Sequence, residues 1–373
     1  MSLYLLFSTI LNLFTCSSPI CLYADWIQIQ YTNNNTNSLN YTSFAKNSMY
    51  ITSNYNENNT WSLDYNKFAG MNDTEFSRYK GYTPRYYPKP TKTIRATKYP
   101  DSWDWRTKGI VGPIKDQQQC GSCWAFSAIG PLESQIIKIT GQNISLSEQD
   151  MVDCVKDVAS PDGSSTCCDG CMGGEMYSVY QYLENNQDGR DDTTAQYPYT
   201  AVDQDCSAVP SDISIQLKSY GVVAKDENAM ASALYTFGPL SVGVDANMDW
   251  QLYQNGIYNP TEDQCSSSPY DQDHGVVVVG YGSENGLDYW IIRNSWGEDW
   301  GEDGYMRLAR GSNACGVANS VIYPILKKTT TENQCLNSHP ECPSEVCYTG
   351  CPCACFVASS SSPCLCSAAT CSC

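Results

Sequence analysis

The sequence predicts an α+β protein folded as two packed lobes with a cleft between them. Between residues 123 and 186 apolar residues recur at helical spacing, whereas from residue 214 onward six apolar or alternating strand-like runs follow one another, separated by Gly, Asn and Asp turns. The chain's 373 residues, 42% hydrophobic and 12% aromatic, are enough for a sizeable core and for two or three domains. Acidic residues outnumber basic ones 40 to 22, which argues against a nucleic-acid or anionic-membrane partner.

Residues 3–14 (LYLLFSTILNLF) form an apolar run too short to span a bilayer, followed by the small residues Ser17 and Ser18. Residues 1–18 read as a secretory signal peptide, although no basic segment leads it. No later stretch is long and apolar enough for a membrane helix. The secretory route admits disulfides, in keeping with 21 cysteines, and five Asn-x-Ser/Thr sequons agree with it: Asn34, Asn40, Asn58, Asn72 and Asn143. The first four fall in Asn-rich sequence before residue 90, so Asn143 is the candidate glycosylation site.

Residues 31–60 are dominated by Asn, Ser, Thr and Tyr with little helical periodicity, and predict a solvated segment. Residues 60–81 are better patterned, and Trp61, Leu63, Phe68, Met71 and Phe76 can form a small apolar cluster. Residues 82–98 (YTPRYYPKPTKTIRATK) predict an extended basic linker open to proteolytic nicking. A leading region, 19–98, thus precedes a globular one over 99–328 that begins near Tyr99.

Within the globular region QQQCGSCWAFSA (117–128) places a glycine and serine turn directly before a helix-forming run. The pattern Ala125, Phe126, Ile129, Leu132, Ile136, Ile137 continues to about Ile139 and stops at Gly141, with a kink expected at Pro131. Shorter helices are predicted over 146–154 and 175–186. Strands are predicted at SIQLKSYGVV, GPLSVGVDA, HGVVVVGYG, LDYWIIRNS, GYMRLAR and NSVIYPIL, with only the helix ENAMASALYTFG among them. The tail, 329–373, carries ten cysteines between residues 335 and 373. We expect five bridges stapling a small appendage, the alternative being thiolate metal binding through CPCAC, CLC and CSC.

The chemistry gathers at Cys123. A thiol on the first turn of a helix sits where aligned peptide dipoles and unpaired N–H groups favour the thiolate, so Cys123 is a candidate nucleophile. A base must take and return its proton, and the chain has only two histidines. His339 lies in the tail, which leaves His274, 151 residues after Cys123 at the head of HGVVVVGYG. A thiolate and imidazolium pair is the expected resting state. Asn294 in NSWGEDWGEDGY can fix the ring's orientation and tautomer, with Trp296 shielding that hydrogen bond from water. Gln117, six residues before Cys123, can bring its side-chain N–H₂ beside the Cys123 backbone N–H as an oxyanion site; Gln118 and Gln119 are ordinary turn residues. Between residues 99 and 328 there are nine cysteines, an odd number that leaves one thiol free.

CGSCW at 120–124, the distant His274, and NSWGEDWGEDGY together resemble the papain family of cysteine proteases, cathepsin L-like members in particular. The leading region resembles that family's inhibitory propeptide. Asn66 and Phe68 fit its GxNxFxD motif, while Asp64 and Gly70 depart from it; Phe44, Asn47 and Ile51 fit part of its long-helix motif, while Thr36 and Asn40 depart.

The resemblance implies a helical lobe and an antiparallel, barrel-like lobe flanking the active-site cleft. It implies disulfides Cys120 with Cys171, Cys154 with Cys206 and Cys265 with Cys315, and leaves Cys167 and Cys168 unassigned in an insertion. It implies that Gly173 and Gly174 pair with the substrate backbone, and that Glu175, Met176, Gly243, Gln272 and Ser320 line the pocket for the residue two before the scissile bond. Asp273 and Trp296 complete the substrate contacts. We expect that pocket to accept aromatic and some basic side chains.

The activity so implied is internal peptide cleavage by a monomeric thiol protease. It is made as a zymogen, needs no cofactor or metal, and is inhibited by its own propeptide in a lysosome-like compartment or outside the cell. A non-catalytic binding protein on the same fold, or a peptide ligase using the same Cys and His pair, are the alternatives.

Overall fold

The computed structural model describes residues 19–32, 40–84, 98–160, 162–211 and 215–328. The expected signal peptide, most of the basic linker (85–97) and the Cys-rich tail (329–373) lie outside the described residues. Two helices lead, α1 (Pro19–Thr32) and α2 (Tyr41–Asn54). Helix α2 corrects the expectation of a solvated segment over 31–60. Asn40 caps it by accepting from the Thr42 and Ser43 amides, and buried Phe44 packs on Trp26 of α1 and on Tyr65. Asn47, also buried, donates to the carbonyls of Ala69 and Met71. A helix with so narrow an apolar stripe leaves little periodic signal in its sequence.

The leading region continues through β1 (Trp61–Leu63) and the single-turn helix α3 (Asp73–Phe76), which Asn72 and Glu75 close with a reciprocal capping box. The five residues expected to cluster together are divided: Leu63 joins the cluster of Trp26 and Phe44, and Trp61 packs against the core of the globular region. Phe68, Met71, Phe76 and Tyr79 enter the core of the globular region, where Phe68 and Phe76 meet Trp296 edge to face with centroids 5.4 and 5.2 Å apart.

In the globular region β2 (Trp103–Asp104) precedes α4 (Cys123–Thr140). Every residue of α4 from Cys123 to Ile137 is buried, so α4 is a central helix rather than an amphipathic one. It runs unbroken through Pro131 and stops at Gly141, which takes the left-handed conformation with φ 71°. After it come α5 (Glu148–Cys154), the hairpin β3 (Lys156–Ala159) and β4 (Thr166–Asp169), and α6 (Met176–Asn186).

The remainder is β5 (Ile215–Val222), α7 (Glu227–Phe237), β6 (Leu240–Val244), α8 (Met248–Leu252), β7 (Tyr253–Tyr258), β8 (His274–Glu284), β9 (Leu287–Arg293), β10 (Tyr305–Ala309) and β11 (Val321–Lys328). All six expected strands are present; α8 and β7 are additional, and α8 interrupts the strand series a second time.

The main sheet runs β1-β7-β10-β9-β8-β6-β11-β5, with β2 added to β8. Its pairings are antiparallel except β7 with β10, and among the described residues it does not close into a barrel. One strand, β1, is contributed by the leading region to the edge of β7.

The two lobes are interleaved rather than sequential. One core holds α4 residues with Met176, Tyr180, and Ile215, Leu217, Val222 and Ile322 from β5 and β11. The other gathers Trp250, Trp290, Trp296 and Trp300 with Trp105 and Ile110, which precede α4. Among the described residues no helix is long and apolar enough to cross a membrane.

Candidate active site

Cys123 opens α4 and is the one cysteine among the described residues of 99–328 outside a disulfide; it is fully buried. The other eight of that region form Cys120–Cys171, Cys154–Cys206, Cys265–Cys315 and the adjacent pair Cys167–Cys168 in β4. The first of these ties the turn before the nucleophile to the segment leading into Gly173 and Gly174. Exposed Asn143 follows the end of α4.

His274 opens β8, at the point where that strand meets the head of α4. The backbone N–H of the next residue, Gly275, donates to Cys123 Sγ at 3.3 Å. The ring's Nε2 lies 2.8 Å from Asn294 Oδ1, which also accepts from the Ser295 amide. With Nε2 donating there, Nδ1 is left as the acceptor, and among the described residues it has no hydrogen-bond partner. Trp296 stacks on the imidazole with centroids 4.5 Å apart, so the ring's position is set by packing as well as by the amide.

Gln117 is buried beside this group, its Nε2 donating to Cys120 O at 2.8 Å and its Oε1 accepting from Ser295 Oγ at 2.6 Å. Tyr199 Oη joins the Gln117 carbonyl to Ser122 Oγ. Ser295, Gly275 and Tyr199 have no place in the sequence reading. Ser295 stands inside the NSW motif and could have been found there, whereas nothing in the sequence marks Tyr199.

The dyad is covered. Burial pushes the Cys123 thiol up to about 12, against backbone N–H groups of Gly275, Gly81 and Tyr82 that favour the anion. Burial likewise drives His274 down to about 3, partly offset by Asn294 and reinforced by the Lys80 charge. With water excluded from both charges, the cover favours the neutral thiol and the neutral imidazole, and the thiolate and imidazolium pair stays the expectation for the uncovered site.

What covers them is the chain's own residues 79–83. Tyr79 O accepts from Trp296 Nε1 at 3.1 Å, and the N–H groups of Gly81 and Tyr82 both donate to Asp273 O. Gly174 N–H donates to Gly81 O and Thr83 N–H to Gly174 O, making a parallel bridge between Tyr82 and Gly174. A Cβ on Gly81 would lie 1.9 Å from Gly121 O, so only glycine passes at this point.

The Tyr82 ring is buried against Gly243, where a Cβ would stand 2.3 Å from it, in the same apolar cluster as Met176. Gln272 Nε2 donates to the Gly243 and Gly316 carbonyls at 2.5 and 3.0 Å, and buried Ser320 accepts from Gly243 N–H at its carbonyl. Buried Glu175 directs its N–H at Cys168 Sγ. Of the residues assigned to one pocket, Gly243 stands against Tyr82 with Gln272 beside it, and Ser320 is bonded to Gly243.

The family description "Papain family cysteine protease" matches residues 99–325. The chain belongs to that family. It is 42% identical to cathepsin L2 of Homo sapiens over 264 residues, 68% of this chain and 75% of that protein. It is 45% identical to a cathepsin L-like peptidase of Aedes aegypti over 231 residues, 61% of this chain and 64% of that one, so it spans a little under two thirds of that relative. Among solved structures it resembles digestive procathepsin L2 proteinase from Tenebrio molitor larval midgut, with a TM-score of 0.68 and 34% identity over 81% of this chain and 98% of that one. The Amb a 11 cysteine protease of ragweed pollen in its proform aligns with a TM-score of 0.70 and 29% identity, covering 82% and 94%. This papain-family chain accordingly carries a propeptide segment laid against its protease domain.

Proposed function

We propose that this papain-family protein is the precursor of an endopeptidase, with a signal peptide over 1–18, a propeptide and linker over 19–98, the catalytic domain over 99–328 and a Cys-rich extension after it. Cys123 Sγ attacks the substrate carbonyl while Gln117 and the Cys123 backbone N–H steady the oxyanion. The C–N bond then breaks as the imidazolium of His274 gives its proton to the leaving amine, which leaves a thioester. Water, deprotonated by His274, releases the acid and restores the thiol.

Asn294 and Trp296 position the ring throughout. The observation that carries this reading is the Nε2 bond of His274 to Asn294 beside a lone free thiol at the head of a helix. Latency follows from the cover: residues 79–83 exclude water, and amide hydrogens, rather than a carbonyl carbon, face the sulfur. Removing the cover rehydrates both groups and restores the charged pair.

The apolar leader and the disulfides favour a route through the secretory pathway to a lysosome-like compartment or the exterior, with Asn143 the glycosylation site. The test is to process the purified precursor and titrate it with a thiol-directed epoxide beside a Cys123→Ala control. Stoichiometric labelling at Cys123 with loss of peptide cleavage is expected. Cleavage that persists in Cys123→Ala refutes it.

A further inference from the structure

The two donors of the oxyanion site sit on separate pieces of chain, and one phenol joins those pieces. Gln117 belongs to the segment ahead of the turn, whereas the Cys123 N–H opens α4. Ser295 holds the first piece from one side: its carbonyl accepts from Gln117 N–H at 2.8 Å and its Oγ donates to Gln117 Oε1 at 2.6 Å. From the other side Tyr199 Oη donates to Gln117 O at 2.7 Å. That proton is then committed, so Ser122 Oγ, 2.6 Å away, is the donor to Tyr199 Oη. Its other acceptor, Cys120 O, stands at 3.5 Å and competes poorly. Ser122 is the N-cap of α4, yet its side chain makes no bond to the helix amides. A capping serine ordinarily accepts from an amide of the first turn; here the buried hydroxyl is turned to the phenol instead.

Tyr199 is itself well held. Its ring meets Phe126 of α4 edge to face with centroids 5.0 Å apart. The N–H of its neighbour Thr200 donates at 2.8 Å to Oε1 of Gln149, a buried residue of α5, so the phenol is aimed from a fixed support. Burial holds its ionisation well above the ordinary value, so it stays a donor at any working pH. The peptide it grips precedes Gln118, whose φ of 54° is left-handed backbone for a residue with a side chain and whose N–H donates to Asp116 Oδ1 at 2.8 Å. We propose that Tyr199 is a positioning residue for the oxyanion site, its phenol fixing the distance between Gln117 and the Cys123 amide through Ser122. This deepens the protease reading and rests on it. Tyr199 touches no reacting atom in that scheme. Loosening it penalises the transition state, whose oxygen carries charge, more than the bound substrate, whose oxygen does not.

The experiment uses Tyr199→Phe, which keeps the ring and its contact with Phe126, made as the full-length precursor and processed beside wild type. With a peptide substrate kcat should fall about tenfold while KM stays within about twofold, a smaller loss than the roughly 100- to 1,000-fold that follows outright removal of an oxyanion donor. A peptide aldehyde, whose adduct with Cys123 puts an oxygen at the same point, should bind about tenfold more weakly. Alkylation of Cys123 by iodoacetamide, a displacement at saturated carbon that builds no oxyanion, should stay within about twofold of wild type from about pH 4 to about pH 8. Ser122→Ala should show the same pattern more weakly, and Tyr199→Phe added to it should cost less than in wild type, since both break one chain of bonds. An unchanged kcat and aldehyde affinity in Tyr199→Phe overturns the assignment. So does a fall in alkylation as large as the fall in kcat, which marks a general loosening of the cleft, and so do strictly additive losses in the double variant. A processed wild-type enzyme that cleaves no peptide, or a Cys123→Ala form that cleaves equally, overturns the protease reading and the positioning role with it.

Discussion

Replacing Phe68 by Ala should unlock the cleft without touching it. Phe68 is fully buried and meets Phe76, Tyr79 and Trp296 edge to face, with centroids 5.4, 4.8 and 5.4 Å away. Trp296 belongs to the catalytic domain, and the other three rings belong to the propeptide segment. Truncating a buried Phe costs about 3–5 kcal/mol, and here that loss falls on the junction between the two parts. At about 1.4 kcal/mol per factor of ten, the open fraction of the precursor should rise roughly 100- to 5,000-fold. Opening gates access to Cys123, so its labelling by a thiol reagent should accelerate by the same factor when reclosing is fast.

The assay is timed labelling of the intact precursor with mass-spectrometric location of the adduct. The disulfide cysteines should stay unmodified, which separates opening from unfolding. Met49→Ala is the control: Met49 is 70% exposed on α2, and its labelling should remain within about twofold of wild type. An unchanged rate in Phe68→Ala would show that this aromatic junction does not hold the cover down.

Asn294→Ala removes the Nε2 partner of His274 and should lower kcat/KM of the processed enzyme by roughly 10- to 100-fold, read with a peptide substrate. Alkylation of Cys123 in the intact precursor should keep climbing toward pH 10, because its thiol is held up at about 12, whereas the processed enzyme should react readily at pH 5–7; superimposable profiles would refute the neutral dyad. Asp191 is pushed well above its ordinary value, first by burial and then by neighbouring Asp150, so the folded chain holds a proton there that the unfolded chain sheds above about pH 4. Stability should therefore fall as pH rises from about 4 toward neutrality, and Asp191→Asn should flatten the fall, as measured by melting temperature in a Cys123→Ala background.

Much of the architecture is legible because its signals are local. The helix from Cys123 to Gly141, the two helices after it and the six strands all announce themselves through short-range periodicity and glycine stops. What escapes the sequence is set by long-range partners. Strand β7 (YQNGIY) is too polar to read as a strand and exists because β1 and β10 flank it. Helix α2 is held by Phe44 and Asn47 against residues that lie 21 to 24 positions away or on another helix.

The site divides in the same way. Cys123, His274 and Asn294 can be picked from residue type and order, and the structure brings them to one place at the heads of α4 and β8. Their protonation cannot be picked so, since it depends on residues 79–83 lying over them. Neither can the position of Tyr82, which no motif marks.

The tie between Cys120 and Cys171 also sets a chemical condition for working life. Eight sulfurs in four bridges must stay oxidised while a ninth, three residues from one of them in sequence, must stay reduced. Three of those bridges join positions 51, 52 and 50 residues apart, and loops of that length contribute about 4 kcal/mol each on a chain-entropy view. A reductant strong enough to open the Cys120 bridge would release the wall beside the nucleophile that it was meant to protect. The enzyme is thus fitted to surroundings mild enough to spare its bridges yet able to rescue an oxidised sulfenate at a single exposed thiol once the cover has gone.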